Sequence, residues 1–130
     1  MNDLLAEWIS KAEGDYLVAT REFRARRQAN YDAVCFHCQQ LAEKYLKAFL
    51  YKNRVDFPKT HNLNELLELC LTLDGSFEIQ RDLLTELDHY GVRYRYPGMT
   101  ADKADAKLAL DRAHIVRSFL RMKLELDVAS

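Results

Sequence analysis

Leu5, Trp8, Ala12, Tyr16, Ala19 and Phe23 recur at steps of three and four, the spacing of one helix face. They predict a first helix of about 22 residues, closed by the basic run RARRQ, whose charges suit a helix C-terminus. Asn30 offers an N-cap for a second helix reaching about Lys52, and Pro58 in the following NRVDFPKT forbids its continuation. Asn62 with Glu65 resembles a capping pair for a third helix, whose stripe of Leu63, Leu66, Leu67, Cys70 and Leu71 stops near Asp74, Gly75 and Ser76. A fourth helix carries Ile79, Leu83, Leu84, Leu87 and Tyr90, with Gly91 as its C-terminal stop. After GVRYRYPGMT, Thr100 or Asp102 can cap a last long helix. There Leu108, Ile115, Phe119, Met122 and Leu126 form one face, with Val116, Leu120 and Leu124 beside it. No linker or internal repeat interrupts the pattern, so residues 1–130 read as one all-α domain of five helices.

Composition sharpens this picture. Only 4 Gly and 2 Pro disfavour a turn-rich β sandwich, and 48% apolar residues suffice for one core. The net charge of −1 points to no strongly charged partner, but its distribution is uneven. Residues 62–90 are mainly acidic, whereas residues 43–61 and 91–103 are mainly basic, which predicts a positive and a negative side. Cys35, Cys38 and Cys70 lack the second ligand pair of a zinc site and read as small buried apolar thiols. With no signal peptide and no 18-residue apolar run, the expected protein is soluble, cytoplasmic and not membrane-bound.

The second helix raises its own question. Val34, Cys38, Leu41, Ala42, Tyr45, Ala48 and Phe49 share a face wide enough to touch two neighbouring helices. His37, Gln40, Lys44, Lys47 and Tyr51 gather on the opposite side as a row of donors. Phe36 interrupts that polar half, where an aromatic ring should not stay wet. An exposed ring beside amides and lysines is typical of a contact surface, so Phe36, His37, Gln40 and Tyr51 are candidate interface residues.

The combination of AVCFHCQQLAEKYLKAFL, then HNLNELLELC, then RYRYPG before a final helix resembles the HEPN domain (higher eukaryotes and prokaryotes nucleotide-binding domain) over nearly the whole chain. The resemblance implies an up-and-down bundle of four main helices with a shorter fifth, usually packed as a homodimer. It also implies a minimal nucleotidyltransferase partner, the two acting as toxin and antitoxin, and for some members nucleotide binding. A catalytic subset cleaves RNA without metal through an Arg, four to six spacers and a His near the start of the last long helix. Here the next histidine after Arg93 and Arg95 is His114, so that motif is missing from its place. The only numerical match is Arg54 to His61, in another connection, and leaves these two as weak catalytic candidates.

Arg93, Arg95 and Tyr96 precede Pro97, which forces Tyr96 toward an extended backbone. Read structurally, the arginines offset the helix end and the acidic stretch before it. Read functionally, they join Lys44 and Lys47 in a groove for a nucleotide or RNA phosphate, with Tyr96 available to stack a base. That second reading requires the second helix to pack near the exit of the fourth. His89 reads as structural or exposed, and Arg24, Arg26 and Arg27 as a solvated helix end. No Gly-rich phosphate loop or H-E-x-x-H pattern occurs, so no metal or cofactor is expected. Two functions stay open: an interaction module, or a metal-independent ribonuclease whose Arg and His meet only in space.

Overall fold

The computed structural model describes residues 2–127 and is all-helical over them. Five α-helices follow in order: α1 (Asp3–Phe23), α2 (Tyr31–Lys52), α3 (Leu63–Leu71), α4 (Arg81–Arg93) and α5 (Lys103–Lys123), with a 3-10 turn at Gly75–Gln80 before α4. Caps fix most of the starts. Asn30 accepts from the Ala33 N–H at 3.0 Å, and Asn62 accepts from those of Asn64 and Glu65. The reciprocal half of the box expected at Asn62 is taken over by Thr60, whose Oγ1 accepts the Asn62 N–H at 3.0 Å. Asp102, not Thr100, caps α5 in a full capping box with Asp105.

Side-chain contacts set the directions. Tyr51 meets Asn2 and Lys44 meets Asp15, so α1 and α2 run antiparallel. Gln39 meets Asp88 and Arg95 lies over Phe36, so α4 runs against α2. Arg112 of α5 pairs with Glu86 of α4, which returns α5 alongside α2. The result is an up-and-down bundle of four longer helices with short α3 at one end, the arrangement that the resemblance implies. α2 is its axis, with thirteen buried residues on nearly every side. Cys35, Cys38 and Cys70 are buried thiols, and burial pushes Cys35 and Cys70 up to about 12.

Three local expectations are corrected. Ile79 does not begin the stripe of α4: it sits in the 3-10 turn and is 77% exposed, while Phe77 is the ring turned inward, between Phe49 at 4.6 Å and Phe119 at 5.0 Å. A 3-10 turn advances 120° per residue rather than 100°, so a helical periodicity selects the wrong side chain. On α5 the core is built by Ala106, Ala109, Ala113, Val116 and Leu120, whereas Leu108, Ile115 and Met122 face outward. Small alanines let α5 approach α2 closely, which turns the larger residues away from the core. Gly91 does not stop α4, which runs on to Arg93. A Cβ at Gly91 would lie 2.7 Å from Gln39 Cγ and 2.8 Å from Gln39 Cβ, so glycine is required by the close crossing of α4 over α2.

Candidate functional site

The polar residues of α2 that the core does not explain converge on one network. Glu43 is 4% exposed, and Lys47 Nζ, one turn on, reaches its Oε2 at 3.0 Å. On its other side the Lys47 ammonium lies 5.9 Å from the centroids of both Trp8 and Phe57. Gln40 donates to Gln39 Oε1 at 2.8 Å, and Gln39 Nε2 donates to the His61 carbonyl at 2.9 Å and to Asp88 at 3.3 Å. Asp88 in turn accepts the Leu63 N–H at 2.8 Å, adding a carboxylate to the start of α3. Burial raises the Asp88 carboxyl above its ordinary range, against the pull of the bonds from Leu63 and Gln39.

His61 stands at the edge of this network. Its Nδ1 is 3.0 Å from Glu43 Oε1, yet its side chain is 74% exposed. A buried carboxylate behind an exposed imidazole holds the ring's orientation and leaves Nε2 toward solvent. The ring opens onto a cleft of about 470 Å³ shared with Asn64, Asp88, His89 and Arg95. Arg95 is also 5.4 Å from the Phe36 ring, a stacking that holds the guanidinium against α2. A neighbouring cleft of about 480 Å³ shares His89 and Val92 with the first and is lined by Arg93 and Tyr96. The walls therefore offer two imidazoles and two guanidiniums, groups whose N–H donors suit phosphate oxygens.

The candidates named from sequence are distributed as follows. Arg93, Arg95, Tyr96 and His61 line these adjoining clefts. Lys47 is buried against Glu43, and Lys44 Nζ lies 2.6 Å from Asp15 Oδ2, so neither lysine is a free phosphate cation. His37 Nδ1 joins the same Asp15 at 2.7 Å. Much of the expected outward row of donors thus grips the chain's own acids, because α1 brings Asp15 to that side of α2 and Glu43 stands one turn from Lys47. Phe36 stays 37% exposed under Arg95, and Tyr51 lies at the other end of the bundle, 3.3 Å from Asn2. Arg54 lines a separate cleft from His61. Asp88 carries no sequence signal and Gly91 carries one only as a helix stop, since their roles here depend on α4 crossing Gln39.

A second charged cluster lies between α1, α2 and α5. Arg117, 1% exposed, makes two bonds of 2.7 Å to Glu13, which also accepts the Tyr45 hydroxyl. Burial favours the neutral Glu13 acid, but the bonds from Arg117 and Tyr45 prevail and hold its carboxyl below the ordinary range. Both acids and bases here are consumed by each other, so the cluster fastens α1 to α5.

Among the described residues no helix is long and apolar enough to cross a membrane. Comparison with curated proteins and with solved structures finds no match. The family model of the HEPN domain matches residues 5–123, from the first turns of α1 to the last residue of α5. The match takes in the QQ-x-x-EK segment and His61, which the fold draws into one network, and the chain belongs to the HEPN domain family.

Proposed function

We propose that this HEPN domain is a homodimeric interaction module that acts with a minimal nucleotidyltransferase as toxin and antitoxin in the cytoplasm, and that it receives nucleotide or RNA phosphate in the cleft of His61 and Arg95. The observation that carries the phosphate site is the convergence of His61, His89 and Arg95 on one cleft beside a buried polar network. Arg95 supplies planar paired donors, and exposed Tyr96 beside it supplies a stacking face. The family supports the partner. Self-association is supported by Leu108, Ile115 and Met122, exposed apolar residues seven apart on one line of α5. Arg95→Glu is expected to weaken binding of a labelled RNA about tenfold or more without lowering the thermal midpoint. Unchanged affinity in the folded variant removes the phosphate site. Ile115→Glu is expected to shift the protein from dimer to monomer in sedimentation equilibrium, and a variant that stays dimeric removes α5 as the shared surface.

A second reading rests on the Glu43–His61 contact: a metal-independent ribonuclease. His61, oriented by Glu43, would take the proton of a 2′-hydroxyl as its oxygen bonds to phosphorus, Arg95 would stabilise charge on the phosphorane, and the 5′-oxygen would leave as its bond to phosphorus breaks, taking a proton from solvent water. Cleavage of labelled RNA in EDTA that disappears in His61→Ala supports it. Intact RNA at high protein concentration leaves the module alone.

A further inference from the structure

Ile79 is held out into solvent by its surroundings. Its neighbours Phe77 and Gln80 are both buried. The turn is also pinned from outside: Arg81 Nε and Nη2 each donate to Glu78 at 2.8 Å, and Nη2 reaches Glu68 at 2.6 Å. The isoleucine is therefore a fixed knob, and little freedom is lost when something covers it. Three residues on, in the first turn of α4, exposed Asp82 makes no ion pair among the described residues. The far end of α4, about 20 Å away for a helix of 13 residues, carries the counterpart. There Val92, Tyr96 and Met99 are exposed and line a cleft of about 480 Å³, with Arg93 at its wall. Arg93 stacks on Tyr94 at 5.6 Å, and Asp105 acts on it electrostatically without an ion pair among the described residues. Asp82 and Arg93 suit the two ends of the α4 dipole. The dipole does not account for an exposed isoleucine at one end and an exposed apolar cleft at the other.

We propose that the cleft of Val92, Tyr96 and Met99 receives Ile79 from a second copy of this chain, with Asp82 of one copy facing Arg93 of the next. Shape and charge agree. The knob is aliphatic, the cleft is apolar, and each is flanked by a charge of opposite sign that no ion pair neutralises among the described residues. A copy cannot fill its own cleft, because α4 holds knob and cleft a full helix apart. The two patches differ, so the contact is heterologous: each joined pair leaves one knob and one cleft free, and copies add head to tail. That distinguishes it from the line of Leu108, Ile115 and Met122 on α5, which would pair with itself. One knob and one charge pair make a small contact, so the association is weak, with a Kd on the order of 0.1–1 mM.

The contact is read in the full chain carrying Ile115→Glu, which removes the α5 line. Sedimentation velocity over a concentration series spanning that Kd is expected to show the mean mass rising past twice its starting value. Ile79→Asp is expected to weaken this growth about tenfold or more with an unchanged thermal midpoint, since the side chain it replaces is exposed. Charge exchange then tests the pairing of Asp82 with Arg93. Asp82→Arg and Arg93→Asp are each expected to stay at the starting mass, because like charges face each other. An equimolar mixture of the two is expected to regain growth, because every knob then has a cleft of opposite charge to enter. The proposal is overturned if the mass does not change with concentration, if growth stops at a doubling, if Ile79→Asp grows as its parent does, or if the mixture stays at the starting mass. The result is independent of the phosphate site, since Arg95 does not line this cleft. It is also independent of the α5 line: should Ile115→Glu stay dimeric, that dimer is the starting mass.

Discussion

Replacing Glu43 by leucine is expected to remove about 3–5 kcal/mol of folding stability, because it strands the buried Lys47 ammonium without its counter-charge. The two side chains are 9% and 5% exposed, so water screens little of the loss. The cation–π faces of Trp8 and Phe57 offset only part of it. Replacing both members, Glu43→Leu with Lys47→Met, is expected to recover much of the stability, since a packed apolar pair costs less than a lone buried charge. Urea denaturation of the two single variants and the double variant measures this coupling. A single Glu43→Leu loss below about 1 kcal/mol, or a double variant no better than the single, contradicts the network described for α2. The same substitution deprives His61 of the carboxylate that orients it, so stability and cleft chemistry are tied at one residue.

The second large effect is expected at Phe77. Truncation to alanine empties the space between Phe49 and Phe119 and should cost about 3–5 kcal/mol. Ile79→Ala, two residues on, should change stability by no more than about 0.5 kcal/mol, because Ile79 is already 77% exposed. Thermal unfolding of the pair is decisive. Equal losses at the two positions would mean that the segment is an α-helical extension of α4 rather than a 3-10 turn.

These two positions mark where sequence reading works and where it stops. Elements with long periodic stripes and clear caps are legible: Asn30 and Asn62 start α2 and α3, and Leu63, Leu66, Leu67 and Cys70 are buried as their spacing predicts. Short or alanine-lined elements are not. On α5 the alanines form the contact face, because close helix approach favours small residues and turns Leu108 and Ile115 outward. Hydrophobicity alone selects the larger side chains and so chooses the wrong face.

The site divides in the same way. The QQ-x-x-EK segment and the following His-Asn are conspicuous in the sequence, as are Arg93, Arg95 and Tyr96 near the end of α4. What a single chain of letters leaves open is the sign of each group's role. Lys44 and Lys47 look like free cations on a helix surface, but Asp15 from α1 and Glu43 from α2 itself neutralise them. Asp88 has no local signal and that of Gly91 points only to a helix stop, yet both matter because α4 crosses α2 closely enough for Gln39 to reach them.

The sequence by itself determined the helical class, the family and the positions of most helix starts, since these depend on residue spacing, caps and breakers acting within a few turns. Tertiary structure alone decided which charges are spent inside the bundle and which remain for a ligand. That outcome depends on side chains far apart in the chain meeting across helices, as Asp15 meets Lys44 at a separation of 29 and Glu13 meets Arg117 at a separation of 104, and no local pattern encodes such meetings.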